Sequence, residues 1–191
     1  MAGKESPRGG LWQNFFRQQD DGDDSLSTLL SRVTIFSDLT GRELARVGSV
    51  IHHREYEANE YVFSQGDPGL GMYVIEEGQV EIVCADKNGA ERSLAALAAG
   101  DFFGELSLFD ESARSASAVA RTPLKVVGFF RPDLLGLLNR SPKIGTKILL
   151  KLGEVIGTRL RITNEELINL SAELEINQEN KRGGSHVNSK P

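Results

Sequence analysis

Two charged side chains near the middle of the chain, Glu105 and Arg114, have the chemistry to hold an anionic ligand that carries a sugar. An arginine guanidinium presents its donors in a fixed fork, so it can bind two oxygens of one phosphate through charge-assisted hydrogen bonds. A carboxylate only accepts hydrogen bonds, so Glu105 suits a ribose hydroxyl rather than a phosphate. Together the pair predicts a ligand with both an anion and a free sugar hydroxyl.

Small and polar residues around this pair leave main-chain donors open to a phosphate. The run at residues 104–108 interrupts a strand-rich region and predicts one or two helical turns. Gly104 removes a side chain where the turn begins, and the first N–H groups of a helix are unpaired donors. Ala116 leaves room for the backbone to approach, and neighbouring serines add hydroxyl donors. The predicted ligand-binding residues are Phe103, Gly104, Glu105, Leu106, Ser107, Arg114, Ser115, Ala116 and Ser117.

Short apolar or alternating runs between Glu55 and Phe130 predict the β-strands that must position these residues. Asn88-Gly89 separates two of the runs and indicates a hairpin, because both residues of such a turn take positive φ. Many short strands with regular turns predict a mainly β fold with flanking helices, an antiparallel β-roll or jelly-roll barrel. The predicted strands cover residues 61–63, 72–75, 80–83, 93–95, 116–119 and 125–129.

Helical patterns flank the strands on both sides. Apolar residues recur at helical spacing over 26–33, and Thr40-Gly41-Arg42-Glu43 reads as a capping box for a second helix over 41–50. Pro132 opens a short helix, and Ser141-Pro142 starts a long one that extends to about Leu174. The apolar stripe from Leu149 to Leu174 predicts a first half packed on the strands and a second half paired as a coiled coil.

The chain therefore divides into a β domain over 26–140, a long C-terminal helix over 141–175, and two disordered tails, 1–25 and 176–191. In the first tail, Leu11, Trp12, Phe15 and Phe16 share one face of a short helix. This segment either packs on its own domain as a flap or docks on a partner or a membrane. The acidic run that follows favours the flap, because it would weaken binding to anionic lipid.

The motif Gly104-Glu105-Leu106-Ser107-Leu108, followed by Arg114-Ser115-Ala116-Ser117, resembles the phosphate-binding cassette of the cyclic-nucleotide-binding domain family. This family includes the catabolite activator protein and the regulatory subunits of protein kinase A. The resemblance covers about residues 28–160 and extends to Gly66-Asp67, Gly78 and Gly100. Leu70 departs from the pattern, because many members have an acidic residue there.

This resemblance implies that Glu105 holds the ribose 2′-hydroxyl and that Arg114 pairs with the cyclic phosphate, helped by amides near Leu106 and Ala116. The helix after Ser141 would close over the base as a lid. Cyclic AMP is the favoured ligand, although the hydroxyl of Ser115 also suits cyclic GMP. The alternative is a scaffold of the same fold that binds no ligand.

The resemblance and the tail together suggest a sensor rather than an enzyme. In transcription-factor relatives a helix-turn-helix domain of about 70 residues follows the long helix, whereas only a short, mostly polar tail follows Leu174 here. We therefore expect no direct DNA binding, a signal passed through the helices to a protein partner, and a homodimer formed by the C-terminal helix.

Composition limits the other function classes. The net charge of -5 disfavours broad nucleic-acid binding, which requires a basic surface. No apolar run has the roughly 20 residues that span a bilayer, and the single cysteine, Cys84, fits a reducing, cytoplasmic compartment. His52 and His53 are adjacent and cannot share a face, so we predict neither a metal site nor catalytic residues.

Overall fold

The computed structural model describes residues 26–86 and 89–184, with side chains through residue 172, and eight β-strands form the centre of this described part. The predicted flap at 11–16 and most of the predicted tails lie outside the described residues. The strands are β1 (His52–Tyr56), β2 (Tyr61–Phe63), β3 (Gly71–Glu77), β4 (Gln79–Ala85), β5 (Glu91–Ala98), β6 (Phe102–Phe103), β7 (Ser117–Ala120) and β8 (Leu124–Phe130).

The strands form two four-stranded sheets in which every neighbouring pair is antiparallel. One sheet has the order β1-β8-β3-β6 and the other β2-β7-β4-β5. The predicted hairpin is confirmed, because β4 pairs with β5 and Gly89 in the connection has a φ of 80°. Of the two predicted architectures, the structure has the β-roll and not the closed barrel. Short strands at the sheet edges, such as β6 and β2, cannot continue the hydrogen-bond ladder around a closed ring.

Aliphatic and aromatic side chains from both sheets fill the space between them. Strands bury one face against each other because alternate side chains point to opposite sides. The resulting core cluster consists of Ile75, Val80, Ala95, Leu97, Phe103, Ala118, Ala120, Leu124 and Val126. Phe63 and Tyr73 are partly buried and pack against this cluster, so the core reaches the strand ends that carry the candidate site.

Two short helices precede the strands, α1 (Leu26–Arg32) and α2 (Gly41–Gly48), with a 3₁₀ turn (Thr34–Phe36) between them. The predicted capping box at the start of α2 is present. Thr40 Oγ1 accepts a bond from the Glu43 amide at 3.4 Å, and Glu43 Oε2 accepts one from the Thr40 amide at 2.8 Å. These bonds satisfy N–H groups that the first helical turn leaves unpaired, so α2 begins where its sequence predicts.

Two further helices follow β8, namely α3 (Arg131–Arg140) and α4 (Pro142–Gly184). The Asp133 carboxylate accepts a bond from the Phe130 amide at 3.0 Å, which fixes the start of α3. Within the first compact unit, which ends at Leu152, α4 buries its apolar face. The buried residues on that face are Ile144, Ile148 and Leu152.

The part of α4 after Leu152 belongs to a second compact unit. Several of its apolar side chains are more than half exposed, namely Leu160, Leu167, Ile168 and Leu170. The helix continues to Gly184, so the predicted end near Leu174 and the predicted tail from 176 need correction. The polar residues after Leu174 include no helix breaker before Gly183-Gly184, and Glu, Gln and Lys are good helix formers.

Two of the strands, β1 and β6, have no strand signal in the sequence. The first four residues of β1 are all exposed, so the strand lacks the alternation of a half-buried one. Strand β6 has only two residues, too few to set a period. Among the described residues, no helix is long and apolar enough to cross a membrane.

Acid should weaken the packing of α4 on α2 through Glu43. Lys147 Nζ donates to both Glu43 oxygens, at 3.0 and 2.8 Å, and with the Thr40 amide it lowers the pKa of Glu43 from 4.5 to about 2. Because the folded-state pKa is the lower one, this stabilisation is complete above the ordinary pKa and disappears as the pH falls towards about 2.

We expect Glu43→Gln to remove this part of the acid dependence. Urea unfolding between pH 7 and pH 2.5 should show the stability difference between wild type and variant shrinking as the pH falls. Glu55→Gln, at an exposed position on β1, is the matched control and should keep the wild-type slope. Parallel curves for wild type and Glu43→Gln would contradict the assignment.

Candidate functional site

A tight turn after β6 carries the first half of the predicted site. Residues Glu105–Leu108 form a single 3₁₀ turn, named here the cassette turn, so one helical turn is present where one or two were predicted. Gly104 precedes it with a φ of 77°, a left-handed conformation that favours glycine. A Cβ atom on Gly104 would lie 2.6 Å from Nη1 of Arg114. Glycine is therefore required both by the backbone conformation and by the guanidinium packed against it.

The Arg114 side chain is buried, with 7% of its surface exposed, and its guanidinium bonds to three oxygens of its own domain. Nη1 donates to the Gly104 carbonyl at 3.1 Å and to Ser107 Oγ at 2.8 Å. Nη2 donates to the carbonyl of Gly71, the first residue of β3, at 2.8 Å. The fork therefore connects the cassette turn to β3.

One donor of the buried fork remains without a partner. Arg114 Nε has no hydrogen-bond partner among the described residues and no contact with solvent. Nη2 carries two hydrogens, of which the Gly71 bond uses one. An unpaired buried donor costs free energy. Arg131 Nε is a second such donor, but the Arg131 side chain is about a third exposed, so the burial of the whole side chain sets Arg114 apart. The Nε–Nη2 edge is the part of the fork for which the domain supplies the fewest hydrogen-bond acceptors.

The buried positive charge of Arg114 also favours an anionic ligand. Burial lowers the pKa of Arg114, and the acidic groups of Tyr73, Glu105 and Asp67, each in its ionised form, oppose that change. A guanidinium remains a cation even with a lowered pKa. The site therefore holds a desolvated positive charge, for which an anionic ligand is the natural partner.

The main chain of Arg114 is held by the loop that follows β2. The Arg114 amide donates to the Asp67 carbonyl at 2.8 Å, and the Gly66 amide donates to the Arg114 carbonyl at 2.9 Å. The Asp67 carboxylate in turn accepts a bond from the Ser64 amide at 2.7 Å, which shapes the loop. The Gly66-Asp67 turn therefore fixes the main chain from which the Arg114 side chain extends.

The structure brings four of the predicted site residues together, namely Gly104, Glu105, Ser107 and Arg114. Glu105 is 5% exposed at the start of the cassette turn, close enough to Arg114 to affect its pKa. Ser107 is likewise buried, and its hydroxyl accepts from the fork. Glu105 and Arg114 are thus both buried and close to one another.

The other predicted residues have different surroundings. Phe103 lies in the core cluster and stacks on Tyr73, with ring centroids 5.6 Å apart. Leu106 is half exposed, Ser115 is exposed and Ala116 is half-buried. Ser117 is buried at the start of β7, and its hydroxyl accepts from the Gln65 amide at 2.8 Å. That contact orders the loop after β2.

Two further groups contact the fork and were absent from the sequence-based prediction. They are the Gly71 carbonyl and the ring of Phe63, which lies under the guanidinium. A backbone carbonyl leaves no trace in a sequence. Phe63 did carry a signal, because it ends a predicted strand just before the Gly66-Asp67 turn.

The two adjacent histidines face different partners. His52 Nε2 lies 3.4 Å from the Asp133 carboxylate, and His53 Nδ1 lies 3.2 Å from that of Glu76. In the part of the chain that the structure describes, no group of three or more His, Cys, Asp or Glu side chains could hold a metal ion.

Known proteins with a cyclic nucleotide-binding domain are similar to this chain in sequence. The family model of the cyclic nucleotide-binding domain matches residues 53–141. The cyclic AMP receptor protein of Thermus thermophilus is 37% identical over 139 residues, which is 73% of this chain and 62% of that protein. A cAMP-dependent protein kinase regulatory subunit of Aspergillus niger is 36% identical over 110 residues, 58% of this chain and 26% of that protein.

A solved structure agrees in both fold and sequence. The crystal structure of the Thermus thermophilus catabolite activator protein has a TM-score of 0.67 and 36% identity, and the likeness covers 72% of this chain and 63% of that one. The chain spans less than two thirds of each of these relatives. The β-roll, the cassette turn and these relatives agree. The chain belongs to the cyclic nucleotide-binding domain family.

Proposed function

We propose that this chain is a sensor that binds a cyclic nucleotide, cyclic AMP in preference to cyclic GMP, and signals to a protein partner through its helices. The observation that carries the proposal is the buried guanidinium of Arg114, whose Nε has no partner among the described residues. The family membership supports a cyclic nucleotide as the ligand.

The cyclic phosphate would accept from the Nε–Nη2 edge of Arg114 as a bidentate partner. The bonds from Nη1 to Gly104 and Ser107 would then act as anchors that hold the edge in place before the ligand arrives. Main-chain amides near Leu106 and Ala116 would donate to the remaining phosphate oxygens. Such preorganisation reduces the entropy lost on binding.

Glu105 would accept a hydrogen bond from the ribose 2′-hydroxyl. Its carboxylate is buried beside Arg114, so a ligand hydroxyl would meet it in a region of low dielectric constant, where a charged hydrogen bond is strong. The adenine preference rests on relatives that are named for cyclic AMP. Ser115 is exposed, so its hydroxyl is accessible to a ligand, as the cyclic GMP alternative requires.

Helix α3 provides a route from the ligand to the rest of the chain. Arg131, its first residue, bonds through Nη1 to Glu111, just after the cassette turn, at 3.2 Å. The Arg131 amide also donates to the Leu70 carbonyl, beside Gly71, at 3.0 Å. A ligand that shifts the cassette turn would therefore bias α3 and, through it, α4 as the lid over the base. The net charge of -5 disfavours direct DNA binding, and a cytoplasmic location belongs to the same proposal.

The three bonds from Arg114 to its own domain favour one alternative. They provide a stable arrangement in the absence of a ligand, as expected of a scaffold that uses the fold for protein contact alone. The unpaired Nε weighs against it, because a pure scaffold gains nothing from an unsatisfied buried donor.

Arg114→Lys should weaken cyclic nucleotide binding by about ten- to a hundredfold, because an ammonium cannot supply the fork and a charged hydrogen bond contributes about 1.5–3 kcal/mol. Calorimetry with cyclic AMP and cyclic GMP measures the effect, and urea unfolding of the free variant checks that it is folded. Wild-type affinity in a folded Arg114→Lys would remove the fork from the site. No heat from wild type with either nucleotide would favour the scaffold.

Glu105 and the ribose hydroxyl should be energetically coupled. We expect wild type to bind 2′-deoxy cyclic AMP about tenfold more weakly than cyclic AMP, because a charged acceptor loses its donor. Glu105→Gln should bind cyclic AMP more weakly and should lose most of the discrimination between the two nucleotides. Full discrimination in the variant would show that another group reads the hydroxyl.

The dimer should depend on the exposed apolar side chains of α4. Sedimentation of the full chain should show a dimer, and the pair of changes Leu160→Glu and Leu167→Glu should yield a monomer, because buried charges oppose pairing. Leu135→Glu changes an exposed leucine on α3 and is the matched control that should leave the dimer intact. A persistent dimer would place the interface elsewhere.

A further inference from the structure

The ring of Phe63 lies face-on to the guanidinium of Arg114. The Cζ atom of Arg114 is 3.9 Å from the centroid of the ring. Cation–π attraction acts within about 6 Å and is strongest when the cation has lost its water. Because Arg114 is 7% exposed, this contact is of the strong, desolvated kind.

The ring cannot easily move away from the cation. Its centroid is 6.1 Å from that of Tyr73 and 5.8 Å from that of Phe103, two rings that stack on one another. Offset and tilted aromatic pairs at these distances are favourable. The core therefore supports the ring of Phe63.

The backbone also fixes the distance between the two residues. Phe63 pairs with Ala118 of β7, and Pro68 forms an isolated bridge with Ala113, next to Arg114. The loop between these two pairings exchanges the amide–carbonyl bonds with Arg114 described above. Strand pairing thus sets the ring beneath the side chain that follows the cassette turn.

The hydrogen bonds and the ring constrain the fork in different directions. Donors of a guanidinium lie in its plane, so the bonds to Gly71, Gly104 and Ser107 resist sliding and in-plane rotation. Only a contact with the flat face resists tilting out of that plane. Phe63 is the residue for which the structure gives such a contact.

We propose that Phe63 is a positioning residue that sets the tilt of Arg114 and so aims the Nε–Nη2 edge at an anionic ligand. This inference rests on the proposed function, in which that edge binds the cyclic phosphate. Phe63 itself need not touch the nucleotide. Its role requires an electron-rich ring face rather than simply a bulky side chain.

The test uses the full chain and titrates cyclic AMP by calorimetry into wild type and position-63 variants. Phe63→Leu should weaken binding about tenfold, and Phe63→Tyr, which keeps the ring face, should restore most of the affinity. Replacing Phe63 by mono-, di- and trifluorinated phenylalanine changes the charge of the face at nearly constant shape. Affinity should fall stepwise with each fluorine.

Phe36→Leu is the matched control for lost ring volume. Phe36 is a buried aromatic residue that packs edge-on against Phe129, with centroids 5.9 Å apart. Both leucine variants should lower stability in urea, but only Phe63→Leu should lower affinity beyond what its folded fraction explains. Equal affinities for the two folded variants, or a flat fluorine series, would overturn the proposal.

A measurement on the free protein separates this inference from the proposed function. The Arg114 Nε–H resonance, identified by its loss in Arg114→Lys, should exchange with water about tenfold faster in Phe63→Leu, because the fork gains freedom to tilt. If wild type binds no cyclic nucleotide yet this acceleration occurs, the proposed function fails and the positioning role stands. An unchanged exchange rate overturns the positioning role whatever the ligand does.

Discussion

The structure depends on keeping one guanidinium out of water. Removing Arg114 from solvent is costly, and the domain offsets that cost with oxygens from the cassette turn and from β3, together with an aromatic face. These groups come from three parts of the chain, namely the cassette turn with the glycine before it, the start of β3 and the end of β2. The site is therefore complete only in the folded roll, because the cation is compensated only when the strands are in register.

The groups that compensate the buried guanidinium come from both sheets. Phe63 ends β2 in one sheet, whereas Gly71 begins β3 in the other, and Arg114 lies between them. Antiparallel pairing fixes such positions more precisely than a loop could, because the register of every strand is set by its buried face. The core cluster continues up to these strand ends, so its packing supports the fork directly.

The sequence predicted the parts of this arrangement that are local. The capping box, the hairpin and the cassette turn each depend on a few neighbouring residues, and Glu105 and Arg114 stand out because their chemistry is unusual beside a glycine-led turn. Contacts across the roll could not be predicted, because sequence spacing alone does not pair Arg114 with the Gly71 carbonyl or with the ring of Phe63. Strand β1 was missed because an edge strand with exposed polar residues has no apolar period, and α4 was cut short because polarity was mistaken for the end of a helix.

Gly71 packs against the end of β8 as well as against Arg114. It lies opposite Phe130 in the β3–β8 pair, so closely that a Cβ atom there would be 2.5 Å from the Phe129 carbonyl and 2.6 Å from the Phe130 Cα. The same residue thus touches the cation on one side and, on the other, the last residue of β8 before α3 begins. Gly71 therefore packs both against the guanidinium of Arg114 and against the residue that precedes α3. Any side chain at this position would push the guanidinium and the start of α3 apart.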